Sequence, residues 1–248
     1  MAGSFEETWR RRFESFGLKA NDDAGIAGWS ANGLATRLRA FERAFGARRL
    51  DGQVWLDVGC GAGTYSRWLA ARGAQVMALD YSQPSLAKAA RLPGNAGLPF
   101  AVADATRLPL PAACADGVLL FGVLQALSSP LPALAELRRV LRPGGELWVD
   151  ALNADSAAAR ALAARERRRG EPPRLRHDRA NELLAALAQL GFASPRLHHV
   201  AVAPGRLAAL QPWLEAAPAR TLFAAWPRLA SVASHSLLLE ARVPVGAS

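Results

Sequence analysis

Cysteine is scarce in this chain of 248 residues, with only Cys60 and Cys114 present. Their spacing fits neither a disulfide framework nor a metal site, so no metal is expected and the setting reads as soluble, reducing and cytoplasmic. Lysine is as rare: Lys19 and Lys88 stand among 30 basic residues, so the net charge of +9 is almost wholly arginine. With alanine heavily used as well, that pattern fits a GC-rich coding bias better than a nucleic-acid surface. The runs Arg10-Arg-Arg12 and Arg165-Glu-Arg-Arg-Arg169 fall on helical patterns and read as solvated faces, so no nucleic-acid partner is expected. No apolar stretch approaches the roughly 20 residues of a membrane span. The N-terminal Met1-Ala-Gly-Ser-Phe-Glu-Glu7 carries acids and no apolar core, which does not read as a secretory signal. Neither an internal repeat nor a low-complexity linker divides the chain, and its length with 51% hydrophobic residues suffices for one large domain.

What the chain does have is a glycine-rich bend. The apolar run Val54-Trp-Leu56 enters Asp57-Val-Gly-Cys-Gly-Ala-Gly63, and a helical pattern leaves it at Tyr65-Ser-Arg-Trp-Leu-Ala70. A strand, a tight turn and a helix N-terminus in that order let a nucleotide-like ligand approach bare backbone. A second apolar run, Gln75-Val-Met-Ala-Leu79, ends on Asp80, twenty-one residues beyond Gly59. At that strand tip a carboxylate can accept both hydroxyls of a ribose. A third run, Phe100-Ala-Val-Ala103, ends on Asp104-Ala105, where an acid can accept the exocyclic amine of adenine.

A nicotinamide-dependent oxidoreductase would share the bend and Asp80. However, the glycines are spaced G-x-G-x-G, and Thr64 stands where the dinucleotide fingerprint has glycine or alanine. Asp57, immediately before the turn, would repel a pyrophosphate and suit a ligand bearing a positive ammonium group.

Over roughly residues 50–155 the sequence resembles the class I S-adenosylmethionine-dependent methyltransferases, in the small-molecule branch of the ubiquinone and menaquinone methyltransferases. Besides the glycine bend, the resemblance rests on Val76-Met-Ala-Leu-Asp-Tyr-Ser82, Ala103-Asp-Ala-Thr-Arg-Leu-Pro109, Ala115-Asp-Gly-Val-Leu-Leu120 and Leu141-Arg-Pro-Gly-Gly-Glu-Leu-Trp-Val149. It implies an α/β, Rossmann-like fold: a seven-stranded, mostly parallel sheet with helices on both faces. The last strand would run antiparallel between the fifth and sixth. It implies that S-adenosylmethionine binds and S-adenosylhomocysteine leaves as product. The methionine moiety would lie on Asp57, Gly59, Cys60, Gly61 and Gly63, and the ribose on Asp80 beside Tyr81. Adenine would be read at Asp104 and Ala105, and the methyl side lined by the stretch from Phe121 to Gln125. Many relatives carry a histidine pair after the fourth strand, whereas this chain reads Phe121-Gly-Val-Leu-Gln-Ala-Leu127, so no catalytic residue is carried over. The Asn/Asp-Pro-Pro-Tyr signature of amide- and adenine-nitrogen methyltransferases is absent, which counts against those acceptors.

The remaining pattern divides the chain into an N-terminal helical cap (1–49), a cofactor-binding core (50–155) and a substrate-side half (156–248) with a helical lid at 205–230. Helices are predicted at 5–17 and 31–46, with a turn-rich loop between them. Strands are predicted at 54–58, 75–79, 99–103, 116–121, 146–151, 195–203 and 234–242. The turn Arg142-Pro-Gly-Gly145 would lead into the fifth strand. The cap helices either cover the cofactor or pack on the sheet edge. Trp29, Trp213 and Trp226 either line an acceptor pocket or pack the lid to the core. His177, His198, His199 and His235 are the only histidines, and none is singled out as a base. The expected activity is methyl transfer to a small apolar or anionic acceptor, most readily at oxygen. A protein that binds the cofactor without turnover, in a regulatory or assembly role, fits the same residues.

Overall fold

The computed structural model describes residues 5–203 and 205–246. Residues 1–4 of the expected cap, Pro204 in the lid approach and residues 247–248 lie outside these. The cap is built of α1 (Phe5–Lys19), α2 (Asp23–Ile26) and α3 (Ala31–Phe45). α2 occupies the segment expected as a loop. It is a single turn, begun where the Asp22 side chain accepts the N–H of Gly25 at 3.1 Å, so a turn-forming composition here caps a helix. α3 follows its apolar spacing, burying Leu34, Phe41 and Phe45.

The strands β1 (Val54–Val58), β2 (Gln75–Asp80), β3 (Phe100–Val102), β4 (Ala115–Leu120), β5 (Leu141–Leu152), β6 (Ala193–Val200) and β7 (Ser236–Arg242) form a seven-stranded sheet ordered 3-2-1-4-5-7-6. The first five run parallel, and β7 runs antiparallel to both β5 and β6. The chain order reverses between β1 and β4, which opens a crevice at their carboxyl ends. Helices α4 (Thr64–Ala70), α5 (Gln83–Ala89), α6 (Leu131–Val140), α7 (Ala157–Arg169) and α8 (Ala180–Gln189) complete the alternation.

β5 begins earlier than its hydrophobic pattern suggests. Leu141 pairs with Ala115 and Glu146 with Gly117, so Arg142-Pro-Gly-Gly145 is a bulge within the strand and not a free turn. On one face, α6 and α8 cover an aliphatic core that includes Val118, Leu120, Leu134, Leu137, Leu147 and Leu187. The other face is aromatic. The Phe41 ring sits 4.7 Å from Trp68 and 5.2 Å from both Phe121 and Trp148, which ties the cap to the sheet. Gly117 is required in β4 because a Cβ there would meet the buried Trp55 ring at 2.5 Å.

The segment expected to form a lid holds a 3-10 turn (Gly205–Leu210), α9 (Gln211–Glu215), α10 (Ala217–Ala225) and the start of α11 (Pro227–Ala233). Trp213 and Trp226 are 75% and 65% exposed, so neither packs the lid to the core. α10 has no buried residue, which is why its neighbour Trp226 finds no apolar seat. Among the described residues, no helix is long and apolar enough to cross a membrane.

Candidate functional site

The glycine bend is pinned to β2 by its own backbone. The N–H groups of Gly59 and Cys60 both donate to the Leu79 carbonyl, at 2.7 and 2.9 Å. Gly59 has φ +78°, and a Cβ there would come within 2.1 Å of Val123 Cγ2, so two facing loops approach too closely for any side chain. The Gly61 N–H donates to Asp80 Oδ2 and the Ser82 N–H to Asp80 Oδ1, each at 2.8 Å. Burial raises the Asp80 pKa, and these backbone donors offset only part of the rise. The cap fastens onto the same bend: Thr64 Oγ1 donates to Asp23 Oδ2 at 2.7 Å, and Arg67 pairs with that carboxylate.

The result is a cleft of about 80 Å³ whose floor is Val58, Gly59 and Gly61, with Asp80 and Tyr81 on one side and Phe121 on the other. Ala105 also lines it, and Phe13, Ala27 and Trp29 of the cap close it. Six residues expected in the site therefore meet here: Gly59, Gly61, Asp80, Tyr81, Ala105 and Phe121.

The other five lie behind the cleft or beside it. Asp57 is 1% exposed and turned towards α4, where Ser66 Oγ donates to its Oδ2 at 2.6 Å. Burial pushes its pKa up to about 6, and with its oxygen held by Ser66 the side chain is outside the cleft lining and does not face a ligand there. Cys60 is buried, and desolvation followed by the Asp57 and Asp80 charges drives its thiol well above the usual range. Gly63, at φ +78°, is the N-cap of α4. Asp104 lines an adjoining compartment of about 270 Å³ that shares Phe13, Tyr81, Ala105 and Val123 with the cleft. There Asp104 Oδ1 accepts from Thr106 N and Oγ1, while Oδ2 accepts from Arg10 at 2.7 Å. The Arg10 guanidinium lies 4.2 Å from the centre of the Tyr81 ring, so α1 clamps this end.

Gln125 lines a third and larger space of about 710 Å³. It too is bounded by Phe13, Ala27 and Trp29, so one cap wall serves both cleft and cavity. His177 and His235 reach this cavity, whereas His198 lies on β6 with its ring 6.4 Å from Trp148 in a stacked arrangement. His199 also lies on β6, outside the cavity lining.

A further polar residue, marked by no motif in the sequence, is Arg37, a 6%-exposed cation on α3. Its Nη1 donates to Gly33 O at 3.1 Å, its Nη2 to Ser236 Oγ at 2.6 Å, and its Nε lies 3.4 Å from Asp150 Oδ2. The signal was present: position 37 is three residues past Leu34 and four before Phe41, on the apolar stripe of the helix.

The residues fit a bound adenosyl group. Two left-handed glycines leave a bare-backbone floor, and the carboxylate at the β2 tip spends two lone pairs on backbone donors and retains others for hydroxyls.

Comparison with known proteins agrees. Residues 56–149 match the family model described as a methyltransferase domain. A demethylmenaquinone methyltransferase of Clavibacter sepedonicus is 41% identical over 99 residues, which are 40% of this chain and 40% of that protein. A ubiquinone biosynthesis O-methyltransferase of Xanthomonas oryzae pv. oryzae is 34% identical over 139 residues, covering 52% of this chain and 58% of that protein. The chain thus spans about half the length of these curated relatives. The magnesium protoporphyrin IX methyltransferase of Synechocystis PCC 6803, solved with bound S-adenosylhomocysteine, shares the fold. Its TM-score is 0.65 at 18% identity, over 97% of this chain and 100% of that one. Over residues 56–149, this chain carries a methyltransferase domain of the class I, S-adenosylmethionine-dependent type.

Proposed function

We propose that the protein transfers a methyl group from S-adenosylmethionine to an oxygen of a small-molecule acceptor, by in-line displacement in a closed pocket. The observation that carries this reading is the shared wall. Phe13, Ala27 and Trp29 border both the glycine-floored cleft and the cavity of about 710 Å³, so a donor and an acceptor held in the two spaces would meet beside them. The names of the curated relatives, a quinone-pathway O-methyltransferase among them, support a small acceptor and oxygen as its reacting atom.

When bound, S-adenosylmethionine supplies a methyl group activated on a sulfonium. Gly59 and Gly61 would receive the methionine portion along their backbone, with Asp57, Cys60 and Gly63 setting the shape of the bend from behind. Asp80 would hold the ribose hydroxyls beside Tyr81. Asp104 and Ala105 would take the adenine edge, with Arg10 closing over them. Phe121 and Gln125 would border the methyl-bearing side. Alignment and exclusion of water can supply about 7–11 kcal/mol of such a reaction's barrier, so a rigid floor and a closing roof matter more than a fixed catalytic pair. The cap (1–49), core (50–155) and C-terminal half (156–248) would act as one unit around this junction. The two free cysteines suit a reducing, cytoplasmic setting.

The test is turnover of methyl-labelled S-adenosylmethionine with fractionated small-molecule extracts. Label appearing in organic-soluble products supports the reading. Binding of S-adenosylhomocysteine with no label in any fraction would replace it with cofactor binding that serves regulation or assembly.

A further inference from the structure

The polar groups at the large cavity have fixed hydrogen-bonding senses. Arg37 Nη2 lies 3.2 Å from His235 Nδ1 and 2.6 Å from Ser236 Oγ. A guanidinium only donates, so Nδ1 must be the acceptor, and the neutral imidazole then carries its proton on Nε2. Ser236 Oγ, 3.1 Å from the same Nδ1, is free to point its own hydrogen there.

The charge of Arg37 is already balanced by Asp150, and its guanidinium lies 3.8 Å from the centre of the Trp29 ring. The cavity therefore presents His235 as a neutral donor and not as a cation. Burial, followed by the Arg37 and His177 charges, lowers the His235 pKa to about 4, consistent with a neutral ring. Elsewhere on the wall Gln125 is 7% exposed, and its Oε1 is buried without a hydrogen-bond partner. An unpaired buried acceptor costs about 1–3 kcal/mol, which a ligand's donor would recover. The surfaces between are apolar and aromatic, including Trp9, Phe16, Leu152 and Leu162.

We infer that this cavity takes an uncharged, largely apolar molecule bearing two polar groups: a carbonyl or ether oxygen that accepts from His235 Nε2–H, and a hydroxyl that donates to Gln125 Oε1. The inference rests on the methyltransferase reading and narrows it, because it selects a neutral acceptor over an anionic one.

The experiment uses the full chain saturated with S-adenosylhomocysteine, titrated calorimetrically at pH 7 with 4-hydroxyoctanophenone and, separately, with 4-octylbenzoate. The hydroxyketone is expected to bind at least tenfold more tightly than the carboxylate. His235→Phe, which keeps a ring but loses the donor, and Gln125→Met, which keeps the length but loses the acceptor, are each expected to weaken the hydroxyketone about two- to tenfold. The His235→Phe variant should retain its affinity for S-adenosylhomocysteine. In the unsubstituted protein, nitrogen NMR should show the His235 proton on Nε2. Equal or tighter binding of the carboxylate, no binding of either probe, an unchanged affinity in either variant, or a proton on Nδ1 would overturn the inference. Failure to bind S-adenosylhomocysteine at all would instead overturn the methyltransferase reading on which it rests.

Discussion

Arg37 of α3 and Asp150 of β5 form a buried ion pair, Nε to Oδ2 3.4 Å, with side chains only 6% and 7% exposed. It joins the cap to the central sheet. Asp150 Oδ1 also accepts the Gly122 N–H at 2.6 Å, in the loop that faces the glycine bend. The pair thus sets the spacing between the roof and the floor of the candidate site.

Removing one partner strands the other. Arg37→Met is expected to lower the unfolding free energy by roughly 3–5 kcal/mol, measured by urea denaturation. Asp150→Asn keeps an acceptor for Gly122, so the double variant should cost less than the sum of the singles. An additive result would show that the two side chains do not interact.

Asp80 serves the bend and, in the proposed function, the ribose. Asp80→Asn places an amide where backbone N–H groups now donate, and should weaken S-adenosylhomocysteine binding by about 1.5–3 kcal/mol. Calorimetry on the folded variant checks this, and an unchanged affinity would contradict the ribose assignment.

Gly59 leaves no room for a side chain. In Gly59→Ala the new Cβ meets Val123 Cγ2 at 2.1 Å with φ at +78°, and a destabilisation of about 1–3 kcal/mol is expected. Adding Val123→Ala removes the contact but not the backbone strain, so thermal denaturation should show partial recovery. Full recovery would mean that the backbone conformation costs nothing.

Asp57 has a pH signature of its own. Its pKa rises on folding from the usual carboxylate range to about 6 because it is buried. The folded state then holds the proton more tightly than the unfolded one, so the group stabilises the fold fully below about pH 4 and loses that contribution as pH rises to 6. The loss is of order 3 kcal/mol. Asp57→Asn keeps an acceptor for Ser66 and cannot titrate. The stability of the unsubstituted protein relative to this variant should therefore fall between pH 4 and 6.5, and a flat difference would contradict a titrating buried carboxyl.

Much of the architecture was legible because it is local. Apolar runs ending in acids marked β1 and β2, and the glycine bend marked the turn between β1 and α4. What was not legible depends on tertiary contact. The carboxylate of Asp57 turns away from the cleft because Ser66, in the first turn of α4, offers it a donor. Gln125 opens onto the larger cavity, and His235 is fixed by an arginine 198 positions earlier, a relationship no local pattern reports. Trp213 and Trp226 carried the strongest apolar signal in the lid, yet they stand in solvent because the short helices around them bury almost nothing.

The central claim is that the bend between β1 and α4, with Asp80 beside it, grips an adenosyl ligand. Calorimetric titration of the purified protein with S-adenosylhomocysteine tests it most directly. The account predicts saturable, single-site binding, with no comparable heat from NADH. Absence of binding, or NADH binding in place of S-adenosylhomocysteine, would contradict it.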